Sequence, residues 1–281
     1  MNKFMALILM SIYYFTLSFA FADVNKGLVA FYEFENNTLD SSGNNNHGTP
    51  VGKLNFVKGK FGNAIKFDGE DDLVNIGKII VSPNNLTFSA WIKKISEFSS
   101  WNDIIAGDCG SPLFALKNNY VYWGGQCNSP MHAYSAQVDI TNNWHHIVAT
   151  YDGNSLKLYC DGKAKISQKT QGSFNTNIPV GIGGALSHNS AEFFYGIIDN
   201  IRIYNRALTI SEVEELYSEK SVPAVSGCIK LYGVPIKKGS AMLIQSGEYH
   251  QTINLDINGC FNFKKVNKDL PFSVILRDNK K

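Results

Sequence analysis

Gly196-Ile-Ile-Asp-Asn-Ile-Arg-Ile-Tyr-Asn-Arg-Ala-Leu208 is the stretch on which the fold turns. Its β-branched residues alternate with other side chains: Ile197, Ile201 and Ile203 against Ile198, Asn200, Arg202 and Tyr204. That pattern predicts a β-strand. One acid, Asp199, interrupts it. Strict alternation puts its carboxylate on the side of Ile197, Ile201 and Ile203, facing the interior. A charge there is costly unless it meets a cation, a metal or several donors. Thr209-Ile-Ser-Glu212 follows as a capping box and predicts a short helix ending near Tyr217.

Composition supports a β-rich globular chain. Of the 281 residues, 44% are hydrophobic and 18% charged, enough for a real core and against global disorder. The net charge of +2 argues against nucleic acid as the main partner. That charge is uneven. Residues 224–281 carry nine basic and four acidic side chains, and residues 23–223 sixteen and twenty, which fits two domains better than one.

The N-terminus has the physics of a signal peptide over residues 1–22. Lys3 is the one charge before Asp23, Phe4 to Phe19 is apolar, and Ala20-Phe21-Ala22 is a small-x-small cleavage site. The apolar run is short for a membrane span, and no later segment is apolar enough to cross a bilayer. The expected location is therefore secreted, periplasmic or at the cell surface. Export makes the five cysteines readable as candidates for bridging. Cys109 and Cys127 flank a seventeen-residue excursion suited to a staple, while Cys228 and Cys260 each follow a glycine in the last domain. Cys160 is left over and reads as a small buried hydrophobe.

Along the chain, Gly27 to Phe34 reads as a strand. The loop from Asn36 to Gly52 is centred on Asp40-Ser-Ser-Gly-Asn-Asn-Asn-His-Gly48. Its short oxygen-bearing side chains suit Ca²⁺, but they equally suit Asx turns that bond their own backbone, and from the loop alone the turns are the better reading. Glu70, Asp71 and Asp72 form an acidic knot of the kind usually just solvated. Leu86 to Lys93 is a strong strand, with Leu86, Phe88, Ala90 and Ile92 on one face and Trp91 on the other. Trp101, Tyr120, Tyr122 and Trp123 lie near Asp103 and several asparagines. Aromatic faces beside amides and carboxylates suit sugar rings, although at least one of Tyr122 and Trp123 is expected in the core. His145 and His146 open another strand. As strand neighbours they point to opposite faces, so they do not share one metal ion.

Several phrases, in order, resemble a laminin-G-like jelly roll of the concanavalin A-type lectin/glucanase superfamily. They are Leu28 to Phe34, Asp40 to Thr49, Gly62-Asn-Ala-Ile-Lys-Phe-Asp-Gly69, Phe88 to Ile92, Trp144 to Gly153, Leu158 to Gly162 and Ile198 to Leu208. The resemblance spans residues 27–217 and implies an all-β fold of two antiparallel sheets face to face, with a domain over residues 23–217. It also implies that the Asp40 loop and the Asp199 strand meet. Asp40, Asn45 and Asp199, with carbonyls around Gly43 and His47, would then form a structural Ca²⁺ cage. The competing reading pairs Asp199 with Arg202 or a lysine. After a linker at 218–224, residues 225–281 resemble a carboxypeptidase-regulatory-like, transthyretin-like β-sandwich. That resemblance implies a spacer whose small core a Cys228–Cys260 bond would reinforce.

The same superfamily contains glucanases, whose paired carboxylates sit in a Glu-x-Asp-x-Glu strand pattern. No such pattern occurs here, and no Ser–His–Asp or Cys–His arrangement has a local signature. The sequence therefore points to a non-catalytic exported binding protein. Its ligand-binding candidates are Trp101, Asp103, Tyr120, Tyr122 and Trp123. Carbohydrate is the first expected partner and a cell-surface protein the second; a glycoside hydrolase is disfavoured.

Overall fold

The isoleucine-rich stretch forms a ten-residue strand that pairs with three others. The structure, a computed structural model, describes residues 23–78, 81–95, 101–108, 111–125, 133–138, 140, 142–186 and 192–219, and beyond these only the backbone of short strands between Val225 and Arg277. In chain order the strands are β1 (Leu28–Tyr32), β2 (Thr49–Val51), β3 (Asn55–Lys58), β4 (Asn63–Asp68), β5 (Leu73–Asn75), β6 (Leu86–Lys94), β7 (Trp101–Gly107), β8 (Pro112–Lys117), β9 (Tyr120–Gly125) and β10 (Tyr134–Gln137). They continue with β11 (Trp144–Tyr151), β12 (Ser155–Cys160), β13 (Lys163–Lys169), β14 (Val180–Ile182) and β15 (Tyr195–Tyr204), before helix α1 (Ile210–Ser218).

Two antiparallel sheets form a sandwich. One runs β13-β12-β11-β6-β15-β4-β3, with β1 also paired to β15; the other runs β10-β9-β8-β7-β14-β5-β2. Their inner faces share one core, which includes Ile65, Phe88, Ile92, Phe114, Trp123 and Ile203. The outer face of the first sheet is covered by α1, whose Val213 and Leu216 pack on Val148, Tyr159 and Tyr204. The helix starts at the expected capping box, with Thr209 Oγ1 accepting from Glu212 N (3.3 Å) and Glu212 Oε2 accepting from Thr209 N (2.7 Å). Arg206 grips the same Glu212 through two bonds of 2.6 and 2.8 Å, and its hydrogen bonds bring that carboxyl down to about 2.

One expectation is corrected here. Strand β15 is not regular: it carries a bulge at Asn200, which adopts φ 47°. Asp199 pairs with Trp91, and the next aligned pair is Arg202 with Ser89, so one extra residue is absorbed. The face assignment changes across the bulge. Ile198, Ile201 and Ile203 enter the core, whereas Asp199 and Arg202 lie on the opposite face with Trp91 and Ser89. Asp199 is fully buried, but not among the isoleucines.

Beyond α1, seven strands follow: β16 (Val225–Cys228), β17 (Lys230–Leu231), β18 (Val234–Pro235), β19 (Ser240–Gln245), β20 (Glu248–Asn254), β21 (Cys260–Phe263) and β22 (Phe272–Arg277). They pair as β16-β21, β17-β18 and β20-β19-β22, and the register sets Cys228 opposite Cys260. Residues 1–22, Cys109 and Cys127 lie outside the described residues.

A left-handed backbone is costly for a β-branched residue, so Asn200→Val is expected to destabilise the chain by ~1–2 kcal/mol more than Asn200→Gly. Urea midpoints of the two variants measure the difference, and equal midpoints would contradict the bulge.

Candidate functional site

The aromatic candidates separate by the pleat. Along β9, Val121 and Trp123 point into the sandwich, and Tyr120 and Tyr122 point out. Trp123 is therefore not a ligand platform, which corrects its assignment. It is fully buried, packs on Phe88 and Phe174, and donates from Nε1 to the carbonyl of Thr150 at 2.9 Å.

The other four candidates meet on the outer face of the second sheet. Register aligns Trp101, Lys117 and Tyr120 in one cross-strand row, and Asp103, Ala115 and Tyr122 in the next. Trp101 and Tyr122 sit edge to face with centroids 4.6 Å apart, and Tyr120 lies 6.5 Å from Tyr122. The Lys117 ammonium stands 4.8 Å over the Trp101 ring. Tyr120 is exposed, and Trp101, Tyr122 and Lys117 are half-buried. In the next row Ala106 pairs with Leu113, and both are buried in a small cluster with Ala115 and Ala185.

Asp103 differs from the expectation in one respect: it is fully buried, and neither carboxylate oxygen has a hydrogen-bond partner. Burial, with the charge of Glu192, pushes its pKa well above the ordinary carboxylate range. The shift favours the protonated, uncharged form of the acid.

The metal candidates divide into two places. Asp40 is consumed by its own loop. Its carboxylate accepts from Phe31 N (2.9 Å), Ser42 N (2.8 Å), Ser42 Oγ (2.9 Å) and Asn46 N (3.0 Å). Burial opposes ionisation there, but these bonds outweigh it and hold the carboxyl below its usual value. His47 Nδ1 accepts from Asp40 N at 3.1 Å, while Asn45 and Gly43 supply positive φ to the loop. This is the Asx-turn alternative, complete in itself.

Asp199 belongs elsewhere. Its Oδ2 accepts from Phe61 N at 2.9 Å, and the N–H groups of Lys60 and Asn200 also point to its carboxylate. Its Oδ1 is buried without a partner. Burial dominates and, with the smaller push of nearby Glu35, brings its pKa up to about 7 against the lowering effect of the backbone N–H groups. Arg202, the cation the competing reading named, instead pairs with Glu219 at 2.7 Å, and Lys60, whose N–H points to the carboxylate, has its ammonium 4.3 Å over the Trp91 ring. Glu35 Oε2 accepts from both Asn63 N and Asn63 Nδ2 at 3.2 Å. Thus Asp199 and Glu35 converge on the Gly59–Asn63 turn. A Cβ at Gly59 would stand 2.6 Å from Asp199 Oδ2, and one at Gly62 would collide with the Glu35 carboxylate. Glu35 is the partner the sequence reading missed; its signal was the glycine pair around Lys60-Phe61.

The acidic knot is a turn. Asp68 Oδ1 caps Glu70 N and Asp71 N, and Asp72 Oδ1 accepts from Lys53 N. Among the described residues, no helix is long and apolar enough to cross a membrane.

Comparison with known proteins yields a family model for the concanavalin A-like lectin/glucanases superfamily, matching residues 68–214. Among solved structures, the chain is similar to domain 4 of AbnA, an extracellular GH43 arabinanase from Geobacillus stearothermophilus, in complex with arabinotriose. The identity is 23% and the TM-score 0.57, with 68% of this chain and 98% of that chain covered. It is also similar to the binding domain of Paraclostridial Mosquitocidal Protein 1, at 19% identity and TM-score 0.57, covering 79% of this chain and 59% of that one. The botulinum neurotoxin serotype D binding domain gives 19% and 0.56, with 80% and 58% covered. The chain thus spans about three-fifths of the two toxin domains, and at these identities the likeness concerns the fold. No curated protein matches by sequence.

An acid whose folded pKa is raised binds more protons folded than unfolded above about pH 4, so Asp103 costs stability as pH rises. Asp103→Asn is expected to raise the melting temperature at pH 8 and to change it little at pH 3.5. Calorimetry at the two pH values decides; an equal shift at both would show that Asp103 is ionised in the fold.

Proposed function

The chain belongs to the concanavalin A-like lectin/glucanases superfamily, and from that premise we propose that it is an exported, non-catalytic carbohydrate-binding protein. The observation that carries this reading is the Trp101–Tyr122–Tyr120 array on the outer face of the second sheet, with Lys117 beside it. A pyranose or furanose ring presents an apolar face to such an array, and its hydroxyls take directed hydrogen bonds from the polar rim. The absence of a Glu-x-Asp-x-Glu strand favours binding over hydrolysis.

Calcium is part of the same proposal, at a site other than the Asp40 loop. Asp199 and Glu35 offer two carboxylates on one turn, with a buried, unpartnered oxygen, which is the hard-oxygen donor set Ca²⁺ takes. A bound ion would neutralise both acids and tie the Gly59–Asn63 turn to the central strand.

Two experiments test these points. On a glycan array, Trp101→Ala and Tyr122→Ala are expected to lose retention of whichever polysaccharide the wild type holds, with melting temperature unchanged. If the wild type retains no glycan and captures cell-surface protein instead, the carbohydrate reading fails. Separately, Ca²⁺ is expected to raise the melting temperature more at pH 8 than at pH 5, because Asp199 must lose its proton to bind the ion. Asp199→Asn is expected to abolish that rise, and an EDTA-insensitive wild type would overturn the site.

A further inference from the structure

Three side chains of different chemistry converge at the open end of the β11–β12 pair. A ring nitrogen of His145, the Sγ of Cys160 and a carboxylate oxygen of Asp161 all lie within 4.8 Å of one another. His145 Nδ1 is 2.9 Å from Asp161 Oδ2, and Cys160 Sγ is 3.7 Å from the same oxygen. The backbone holds them there. Cys160 pairs with Ile147 in register, so the end of β12 lies beside the start of β11. Asp161 then leaves the strand at φ 50°, donating its N–H to His146 O (2.8 Å) and accepting His146 N on Oδ1 (2.9 Å). The second oxygen is left to face His145 and the thiol. His146 turns the other way, to Ser89 Oγ at 2.8 Å, so the two adjacent histidines divide between two faces.

We propose that His145, Cys160 and Asp161 form a binding site for a thiophilic divalent cation of the zinc class. Tetrahedral Zn²⁺ takes nitrogen and oxygen at about 2.0–2.2 Å and sulfur at about 2.3 Å, so its ligand atoms stand roughly 3.3–3.7 Å apart. The separations observed at Asp161 bracket that range, and small movements of His145 and Asp161 would meet it. A thiolate–imidazole–carboxylate set suits Zn²⁺ and excludes Ca²⁺ and Mg²⁺, which take oxygen. Three protein ligands leave a fourth position for solvent. The cluster is reachable from that side, since the Asp161 side chain is 30% exposed. On binding, the thiol proton passes to solvent and His145 carries its proton on Nε2. Without metal, burial, with the Asp161 charge, pushes the thiol up to about 12, which slows its reactions.

Cobalt serves as the spectroscopic probe. Titrating Co²⁺ into the reduced full chain is expected to produce a sulfur-to-cobalt charge-transfer band. That band is lost in Cys160→Ser and weakened more than about tenfold in affinity in His145→Gln, at least the loss that outer-shell changes cause. Zn²⁺, but not Ca²⁺, is expected to protect Cys160 from alkylation, read by peptide mass spectrometry, which needs no variant to fold. Asp199→Asn should leave the band intact, separating this site from the calcium site. No charge-transfer band in the wild type, a band that survives Cys160→Ser, or unprotected alkylation would each overturn the assignment.

Discussion

A carboxylate buried in the middle of the central strand constrains much of this molecule. Asp199 sits on β15 beside β6, between the segment that pairs with β4 and the segment that pairs with β1. Removing such a group from water costs several kcal/mol unless other charges or donors replace the solvent. Here Arg202 is paired with Glu219, and main-chain N–H groups do that work. The bulge at Asn200 turns the carboxylate away from the isoleucines, and the Lys60–Phe61 turn folds down upon it. Gly59 and Gly62 follow as a consequence, because the space that their Cβ atoms would need is taken by Asp199 and Glu35.

What was legible in the sequence follows the same line. The regular elements could be read from alternation: Phe88, Ala90 and Ile92 inward with Trp91 outward, His146 and Val148 on one face, and the Thr209–Glu212 box at the helix start. The bulge could not be read. Periodicity assumes one residue per step, and one inserted residue at Asn200 moves Asp199 to the other face while leaving Ile201 and Ile203 inside. The Asp40 loop was legible as an Asx turn from its own residues. The inference that it meets Asp199 came from resemblance, and the hydrogen bonds show Asp40 already saturated by Phe31, Ser42 and Asn46. Glu35 was hidden for a different reason: nothing local links it to Asp199, and only the Gly59–Asn63 turn joins them.

The tryptophans show how one residue type takes three roles. Trp123 is core because the β9 pleat points it inward. Trp91 faces outward but is buried by Phe61 and Tyr217, 5.7 and 5.8 Å from its ring. Trp101 faces outward on the sheet that α1 does not cover, and so stays half-exposed beside Tyr122. The decisive variable is which sheet the helix occupies. Once α1 is pinned to the first sheet by Val213, Leu216 and the Arg206–Glu212 pair, the second sheet's outer face keeps its aromatics available.

Core and outer face are separable in this architecture. The core and the Asp199 turn depend on β15, β6, β4 and β1, where changing a residue disturbs packing on two sides. The platform depends on outward positions of β7, β8 and β9, which touch the core only through their backbones. Substitutions at Trp101, Lys117 or Tyr122 therefore come at little cost to folding. The sandwich itself is shared, at about one-fifth identity, with an arabinanase domain and with toxin binding domains alike.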